Sequence, residues 1–208
     1  MVDLLEVLVV MKDMIDPIEG VKTWLSDARK TEIIDPDAMS IATVDSTGVP
    51  NVRIVLLKEI RNDGFVFFTN YDSHKGKELL CNSYCAGVLH WKSSGKQVRF
   101  RGKCHRITTE DSDKYFATRP LKSRIAVWAS DQSRPLSTRE ILEERVQYYT
   151  NLYRDTEPLR PEYWGGICIV PHEIEFWISR DFRLHDRWQW VRDCSNPEDN
   201  WRCTRLFP

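Results

Sequence analysis

The sequence predicts an α+β fold, an antiparallel Greek-key β-barrel with flanking helices, and three observations support this. Strand-like segments fill both ends of the chain, whereas helical segments fill its middle. Short turns rich in Asp, Asn, Ser and Gly separate the first strands, as in β-hairpins. A chain of 208 residues with 41% hydrophobic content can bury one sizeable core.

The first element is a helix that opens at Asp16-Pro17, a capping residue followed by a proline suited to the first helical turn. Its apolar residues recur at helical spacing and share one face: Ile18, Val21, Trp24, Leu25 and Ala28. Three strands are predicted next, at 38–44, 52–58 and 65–69, with turns at 45–48 and 61–64. Ser73 then caps a short helix that runs to about Leu80.

The remaining elements continue this pattern. Strands are predicted at 86–91 and 97–107, helices at 109–118, 123–129 and 138–153, and strands at 166–170, 173–179, 184–192 and 201–206. An apolar stripe on the last helix is interpreted as a core face: Ile141, Leu142, Val146, Tyr149 and Leu152. No linker or repeat divides the chain, so one domain is predicted at 16–208, preceded by an extension at 1–15.

Composition excludes several classes of function. The net charge of -1 argues against nucleic-acid binding by bulk electrostatics, so any anion site must be a local cluster. The six cysteines form no C-x-x-C pair and are interpreted as reduced thiols of a cytoplasmic protein, without a metal site. The apolar N-terminus lacks the basic start of a signal peptide and is too short to span a bilayer, so no membrane contact is expected.

The run Arg-Leu-His-Asp-Arg at 183–187 is the most informative motif. In a strand, alternate side chains share a face, so Arg183, His185 and Arg187 would lie together as an anion site. The other face would carry Leu184 and Asp186, followed by two tryptophans. A solvated basic strand edge is the alternative, and this run alone favours neither interpretation.

Other segments also offer anion-binding chemistry. Apolar residues on both faces of 53–58 predict a strand buried on both sides, so its cations Arg53 and Lys58 need partners. The segment 68–77 ends a strand and opens a helix, where Lys75 and backbone N–H groups suit a phosphate. Tyr115, Arg119 and Ser123 are spaced four apart along a helix and its exit.

Together, these segments resemble the pyridoxine/pyridoxamine 5′-phosphate oxidase family over nearly the whole chain from about residue 16. Each piece is short, but their joint order and spacing are specific. The pieces are RIVLLK (53–58), FFTN with SHKGK (67–77), KQVRFRG (96–102), KYFATRP (114–120), DQS (131–133), YWGG (163–166), EFW (175–177) and RLHDR (183–187).

The resemblance implies an FMN-binding split barrel that forms a homodimer with FMN at the subunit interface. It implies oxidation of pyridoxamine or pyridoxine 5′-phosphate to pyridoxal 5′-phosphate by O2, giving H2O2 and, from the amine, NH3. The implied FMN contacts are Arg53, Ile54, Val55, Leu56, Leu57, Lys58, Phe68, Thr69, His74, Lys75, Gln97, Gln132, Ser133, Trp177 and Arg187. The implied substrate contacts are Lys58, Tyr115, Arg119, Ser123, Arg183, Leu184 and His185, with Arg183 and His185 as the candidate catalytic residues.

The sequence departs from the family pattern in three places, one of which is the N-terminal stretch, where the basic-aromatic segment that can close over substrate is missing. His74 stands where the family usually has an arginine, and Ile178-Ser179 stands where Gln-Gly is usual. Two alternatives to the oxidase therefore stay open. One is a related split-barrel flavin oxidase acting on another substrate, such as a phenazine precursor, and the other is a non-catalytic protein that binds flavin or pyridoxal phosphate.

Overall fold

A computed structural model describes residues 16–193 and 200–208, which form a curled antiparallel sheet flanked by helices. The predicted extension at 1–15 lies outside the described residues. The helices are α1 (Pro17–Thr31), α2 (His74–Cys81), α3 (Thr109–Thr118), α4 (Leu121–Ala129) and α5 (Arg139–Leu152). The strands are β1 (Ala38–Val44), β2 (Pro50–Leu56), β3 (Glu59–Ile60), β4 (Phe65–Asn70), β5 (Tyr84–Trp91), β6 (Lys96–Arg106), β7 (Trp164–Ile178), β8 (Asp186–Val191) and β9 (Arg202–Leu206).

The sheet runs in the order β2-β1-β5-β6-β7-β4-β3, with neighbouring strands antiparallel; β8 pairs with β7, and β9 pairs with β8. Strand β7 is 15 residues long, and its two halves pair with different strands on one side. Its first half pairs with β4, its second half pairs with β8, and β6 runs along both halves. The predicted antiparallel α+β architecture is therefore confirmed.

The two strands predicted at 166–170 and 173–179 are one continuous strand. The register with β6 shifts between Arg101 and Gly102, opposite Pro171 and Glu173 of β7. A proline cannot donate to a ladder and is tolerated where pairing is irregular. The apolar pattern is interrupted there although the chain stays extended, which is why the sequence predicts a break.

The core lies between the inner face of the sheet and α1. Asp16 caps this helix by accepting a 2.9 Å hydrogen bond from the Ile18 N–H, and the five predicted apolar residues of α1 are buried. Trp24 of α1 packs edge-on against Phe176 of β7, with ring centroids 4.8 Å apart. The prediction for this helix is confirmed in both its start and its buried face.

Two predicted burial patterns are wrong for the single chain. Strand β2 is an edge strand, and Val52 and Ile54 are 66% and 68% exposed, although both of its faces are apolar. Helix α5 has no buried residue, so its apolar stripe is not a core face. Helix α5 is covered only in part, by Trp128 of α4 against Tyr149, so apolar side chains of both β2 and α5 stay exposed in the described part of the chain.

No helix in the described ranges is long and apolar enough to cross a membrane.

Gly76 fixes the distance between α2 and the end of β4. A Cβ at this position would collide with the backbone carbonyl of Tyr71. We expect Gly76→Ala to lower the free energy of unfolding by about 1–3 kcal/mol, the usual cost of overpacking. Urea denaturation would measure the loss, with Lys77→Ala, an exposed substitution in the same helix, as the control. An unchanged unfolding midpoint in Gly76→Ala would contradict the close packing described here.

Candidate functional site

A cleft of about 440 Å³ opens where β2 and β4 end beside α2, α3 and α4. Eleven of the site residues implied by the sequence line it: Ile54, Val55, Leu56, Lys58, Phe68, Thr69, Lys75, Tyr115, Arg119, Ser123 and Gln132. Five further lining residues are absent from that set: Asn70, Ala126, Val127, Ser130 and Trp164. Sequence position was the available signal for four of them: Asn70 adjoins Thr69, Ala126 and Val127 lie about one helical turn from Ser123, and Trp164 belongs to YWGG.

One end of the cleft carries a buried lysine at a helix N-terminus. The Ser73 hydroxyl caps α2 by accepting from the Gly76 N–H at 3.3 Å. The Lys75 Nζ lies 3.2 Å from the Thr69 Oγ1 and 3.4 Å from the Ser73 Oγ. No carboxylate in the described ranges pairs with Lys75, and burial together with the nearby Arg53 cation lowers its pKa. A desolvated cation at a helix N-terminus is suited to an anion.

Arg53 stands beside Lys75 but is held by an acidic partner. Its Nη2 lies 2.9 Å from the Glu78 Oε2, and its Nη1 donates to the Thr43 hydroxyl. Burial would raise the pKa of Glu78, but hydrogen bonds from Thr43, Asn51 and Arg53 outweigh it and lower that pKa. Arg53 therefore has an acidic partner, although β2 is not buried on both faces as predicted. Lys58, by contrast, is exposed and lines the cleft.

A second cation faces the cleft from the end of α3. The guanidinium carbon of Arg119 lies 4.7 Å from the ring centroid of Trp164. The Arg119 Nη1 is buried and has no hydrogen-bond partner within residues 16–193 and 200–208. Burial lowers the pKa of Arg119, because desolvation penalises the charged form. A buried guanidinium nitrogen without a partner is costly, so this position is suited to an anion.

Aromatic rings form the wall beside Arg119. Tyr115 stacks on Phe68 with centroids 3.6 Å apart and planes 12° apart, and Phe68 stacks on Trp164 at 5.4 Å. Burial raises the pKa of Tyr115, which keeps its hydroxyl protonated as a hydrogen-bond donor at neutral pH. Ser123 completes this side of the cleft from α4. Tyr115, Arg119 and Ser123 are thus brought together as the sequence predicts.

A second group of implied residues lies outside this cleft, on the outer face of the sheet. Gln97, Trp177 and Arg187 are direct neighbours across β6, β7 and β8. The His185 ring lies 4.5 Å from the ring of Trp177. The adjacent residues Val98, Phe176 and Trp188 are buried on the opposite face, in the core. One chain therefore carries the implied site in two separate parts.

The predicted strand at 184–192 begins later, at Asp186, so Arg183, His185 and Arg187 do not share one strand face. Residues Asp181–Arg183 form a short 3₁₀ turn, in which Phe182 and Arg183 have left-handed φ values of 55° and 61°. The His185 Nδ1 accepts a 3.1 Å hydrogen bond from the Arg180 N–H, which closes the turn. His185 and Arg187 still meet at Trp177, whereas Arg183 and Leu184 are exposed.

Three other implied cofactor residues lie away from the cleft lining. Leu57 is buried in the core. His74 is the exposed first residue of α2, one position before Lys75. Ser133 is exposed and follows Gln132, with a left-handed φ of 70°.

One group of possible metal ligands occurs in the described ranges, away from the cleft. The ligand atoms of Asp63, His105 and Cys168 lie within 4.8 Å of one another. Burial and the nearby Asp63 carboxylate raise the pKa of the Cys168 thiol to about 12.

Known proteins are similar to this chain over most of its length. Residues 25–153 match the family model "Pyridoxamine 5'-phosphate oxidase", and residues 164–208 match the model "Pyridoxine 5'-phosphate oxidase C-terminal dimerisation region". Proteins named "Pyridoxine/pyridoxamine 5'-phosphate oxidase" are similar over most of the chain. The protein from Ruegeria sp. (strain TM1040) is 48% identical over 193 residues, covering 93% of this chain and 94% of the relative. The protein from Sinorhizobium fredii is 49% identical over 196 residues, covering 94% of each.

Solved structures agree with the fold. PhzG from Burkholderia lata 383, in complex with tetrahydrophenazine-1-carboxylic acid, has a TM-score of 0.87 at 30% identity, with 94% of each chain covered. A pyridoxamine 5′-phosphate oxidase-related, FMN-binding protein from Nostoc punctiforme has a TM-score of 0.72 at 15% identity, covering 93% of this chain and 98% of that one, a likeness of fold alone. On the family matches and the identity to the curated relatives, the chain belongs to the pyridoxamine 5′-phosphate oxidase family.

Proposed function

We propose that this protein is an FMN-dependent oxidase that converts pyridoxamine or pyridoxine 5′-phosphate to pyridoxal 5′-phosphate. Each turnover consumes one O2 and releases H2O2; the amine substrate also consumes water and releases NH3. The observation that carries the proposal is a pair of cations in one cleft, the buried Lys75 and the half-buried Arg119, neither paired with a carboxylate in the described chain. The proposed cofactor and substrate each bring one phosphate monoester, which matches two anion sites.

The Lys75 end fits the FMN phosphate. Its cation, the Thr69 and Ser73 hydroxyls and the N-terminus of α2 are the donor set that a phosphate prefers. Ile54, Val55 and Leu56 of β2 line the adjacent cleft and offer an apolar wall for the flavin ring. When bound, FMN supplies the redox chemistry, accepting two electrons from the substrate and passing them to O2.

The Arg119 end fits the substrate phosphate. Arg119 provides a fork of donors, and the Tyr115 and Ser123 hydroxyls and Lys58 lie around the same cleft. Anchoring the phosphate fixes the position of the substrate's reacting carbon, which is a proximity effect. The His185 and Arg183 side chains are proposed to cover the pyridine ring of the substrate, and no residue is assigned as a proton-abstracting base.

The two-part distribution of the site supports a homodimer with FMN at the subunit interface. Trp177, His185 and Arg187 lie outside the cleft of their own chain, within the segment that matches the dimerisation region. The exposed apolar faces of β2 and α5 provide further surface for a second copy. Sedimentation equilibrium should give twice the chain mass of 24.5 kDa, and a monomer that binds FMN with full activity would contradict this arrangement.

Two broader expectations stay part of this proposal. Residues 16–208 form one domain, because a single large cluster of core residues joins α1 to both ends of the sheet. The protein is also proposed to act in the cytoplasm, since its six cysteines form no C-x-x-C pair and are interpreted as reduced thiols.

A visible absorption spectrum and an oxygen electrode test the proposed function directly. The purified chain should bind FMN, and added pyridoxamine 5′-phosphate should cause oxygen uptake with equal molar formation of pyridoxal 5′-phosphate. Pyridoxamine itself is the matched control, because it lacks the 5′-phosphate that Arg119 is proposed to bind. A protein that binds no FMN, or that oxidises both compounds equally well, would contradict the proposal.

A second candidate is a related oxidase of another substrate, favoured by the similarity to the Burkholderia protein solved with tetrahydrophenazine-1-carboxylic acid. That ligand carries a carboxylate and no phosphate, so it gives no reason for a full phosphate site at Arg119. Turnover of a reduced phenazine carboxylate in preference to pyridoxamine 5′-phosphate would select this candidate. FMN binding without oxygen uptake on either compound would instead select the non-catalytic binding protein.

A further inference from the structure

Glu175 is a buried carboxylate on the outer face of the sheet, and the sequence analysis assigns it no role. Its side chain is only 2% exposed, although the face around it carries polar side chains. Its Oε2 accepts from the Arg99 Nε at 2.8 Å and the Arg99 Nη2 at 2.6 Å. The Arg187 Nε donates to the Oε1 at 2.9 Å, and the Arg187 Nη2 donates to the Oε2 at 3.0 Å.

The charge state of Glu175 follows from these contacts. Burial alone would raise the pKa of its carboxyl group, but the hydrogen bonds from Arg187 and Arg99 outweigh burial and lower the pKa. The carboxylate is therefore ionised at neutral pH. Three of its four hydrogen bonds fall on Oε2 and one on Oε1, so most of its acceptor capacity is used within the chain.

Arg187, in contrast, keeps capacity for a ligand. Its Nη1 also donates to the Phe207 carbonyl at 3.0 Å, so three of its five N–H groups bond within the described chain. The remaining N–H groups belong to the outer nitrogens of the fork. The fork is fixed on both edges, by Glu175 and by the C-terminal segment, beside Trp177 and Gln97.

We propose that Glu175 is a positioning residue for FMN, which acts by holding Arg187 in the orientation that presents its free N–H donors to the cofactor. This inference rests on the proposed function, because it takes Arg187 to be an FMN contact. A guanidinium that is fixed before binding loses less conformational entropy when it meets its ligand. Arg187 and Arg99 both bond to the Glu175 carboxylate, whose negative charge offsets the repulsion between the two guanidinium groups.

A double-mutant cycle on FMN affinity tests this coupling. The full chain, freed of bound flavin, is titrated with FMN and followed by flavin fluorescence, for wild type, Glu175→Gln, Arg187→Ala and the double variant. We expect Glu175→Gln to raise the Kd about tenfold, the cost of disturbing one charge-assisted contact. In the Arg187→Ala background, the same substitution should change the Kd less than twofold, because the group that Glu175 positions is gone.

The matched control is Glu173→Gln, two residues earlier on β7. Glu173 pairs at 3.4 Å with the exposed Arg101, and its Oε1 lies 3.9 Å from the Arg99 Nη2. It forms no ion pair with Arg187 in the described ranges, so neutralising it should leave the Kd for FMN unchanged. Circular dichroism of each flavin-free variant checks folding. If Glu175→Gln does not fold, Glu175→Asp, which keeps the charge but shortens its reach, takes its place in the same cycle.

Two results would overturn the inference. An unchanged Kd in Glu175→Gln means that Arg187 needs no positioning, and an equal weakening with and without Arg187 means that Glu175 has only a general structural role. A wild-type chain that fails to bind FMN is a different outcome, because it contradicts the proposed function itself.

Discussion

Replacing Arg119 with methionine is expected to raise the KM for pyridoxamine 5′-phosphate by about a hundredfold. The substitution removes the guanidinium that has a buried, unpaired Nη1 in the cleft and keeps an unbranched apolar side chain against Trp164. Loss of one partner from a buried charge pair costs about 2–5 kcal/mol, which corresponds to that range of affinity. Steady-state kinetics with oxygen detection would measure the change.

The same variant has a second expected effect, on the flavin-free protein. Arg119 is half-buried without an anion, and desolvation lowers its pKa, so it destabilises the ligand-free fold. Arg119→Met should therefore keep or increase the melting temperature, while the affinity for FMN stays as in wild type. Lys122→Ala, an exposed change on the neighbouring helix α4, is the control for both measurements. A normal KM in Arg119→Met would place the substrate phosphate elsewhere.

Replacing Lys75 with methionine is expected to weaken FMN binding about a hundredfold or more. Lys75 is the buried cation at the start of α2, and a neutral side chain there leaves the Thr69 and Ser73 hydroxyls as the main donors from this group. The loss of a buried ionic contact to a phosphate is of the same order as that expected for Arg119. Fluorescence titration with FMN measures it, and Lys77→Ala, exposed in the same helix, is the control.

Lys75 also predicts the direction of a pH effect. Burial lowers its pKa below the ordinary value of 10.5. Between the lowered pKa and 10.5 the unfolded chain binds more protons than the folded chain, so the flavin-free protein gains stability as pH rises through this window. FMN phosphate favours the protonated lysine, so FMN affinity should fall over the same window. Lys75→Arg should remove this loss of affinity, because arginine stays charged there; an equal pH dependence in both proteins would assign the titration to another group.

Local sequence patterns correctly predicted elements that pack within the chain itself. The capped start of α1, the strand Ala38–Val44 and the helix Thr109–Thr118 agree with the residues predicted for them. The apolar patterns of β2 and α5 predicted burial that the single chain does not show. An apolar pattern does not distinguish surface that is buried inside one chain from surface that is buried between two chains. The sequence did not predict the turn at Asp181–Arg183, because the residues that follow it alternate as in a strand. The hydrogen bond from the Arg180 N–H to His185, which closes this turn, cannot be predicted from residue types.

The candidate site shows a similar division. The position of Lys75 after a strand and a capping serine was enough to predict an anion site. The spacing of Tyr115, Arg119 and Ser123 was enough to predict that their side chains lie together. The unpaired Nη1 of Arg119 could not be predicted, because it depends on which distant groups fail to reach it. Glu175 was missed because its partners lie 76 and 12 residues away, on two different strands, so the sequence alone makes it look like a surface residue.

The separation of Trp177 and Arg187 from the cleft has a consequence for the protein at low concentration. In a homodimer of the proposed kind, each FMN contacts both chains, so flavin and partner chain stabilise each other by mass action. Dilution would then release flavin even when the free FMN concentration is held constant, and added FMN would shift separated chains toward the dimer. The amount of this protein in a cell would thereby become one of the variables that set how much of it carries flavin.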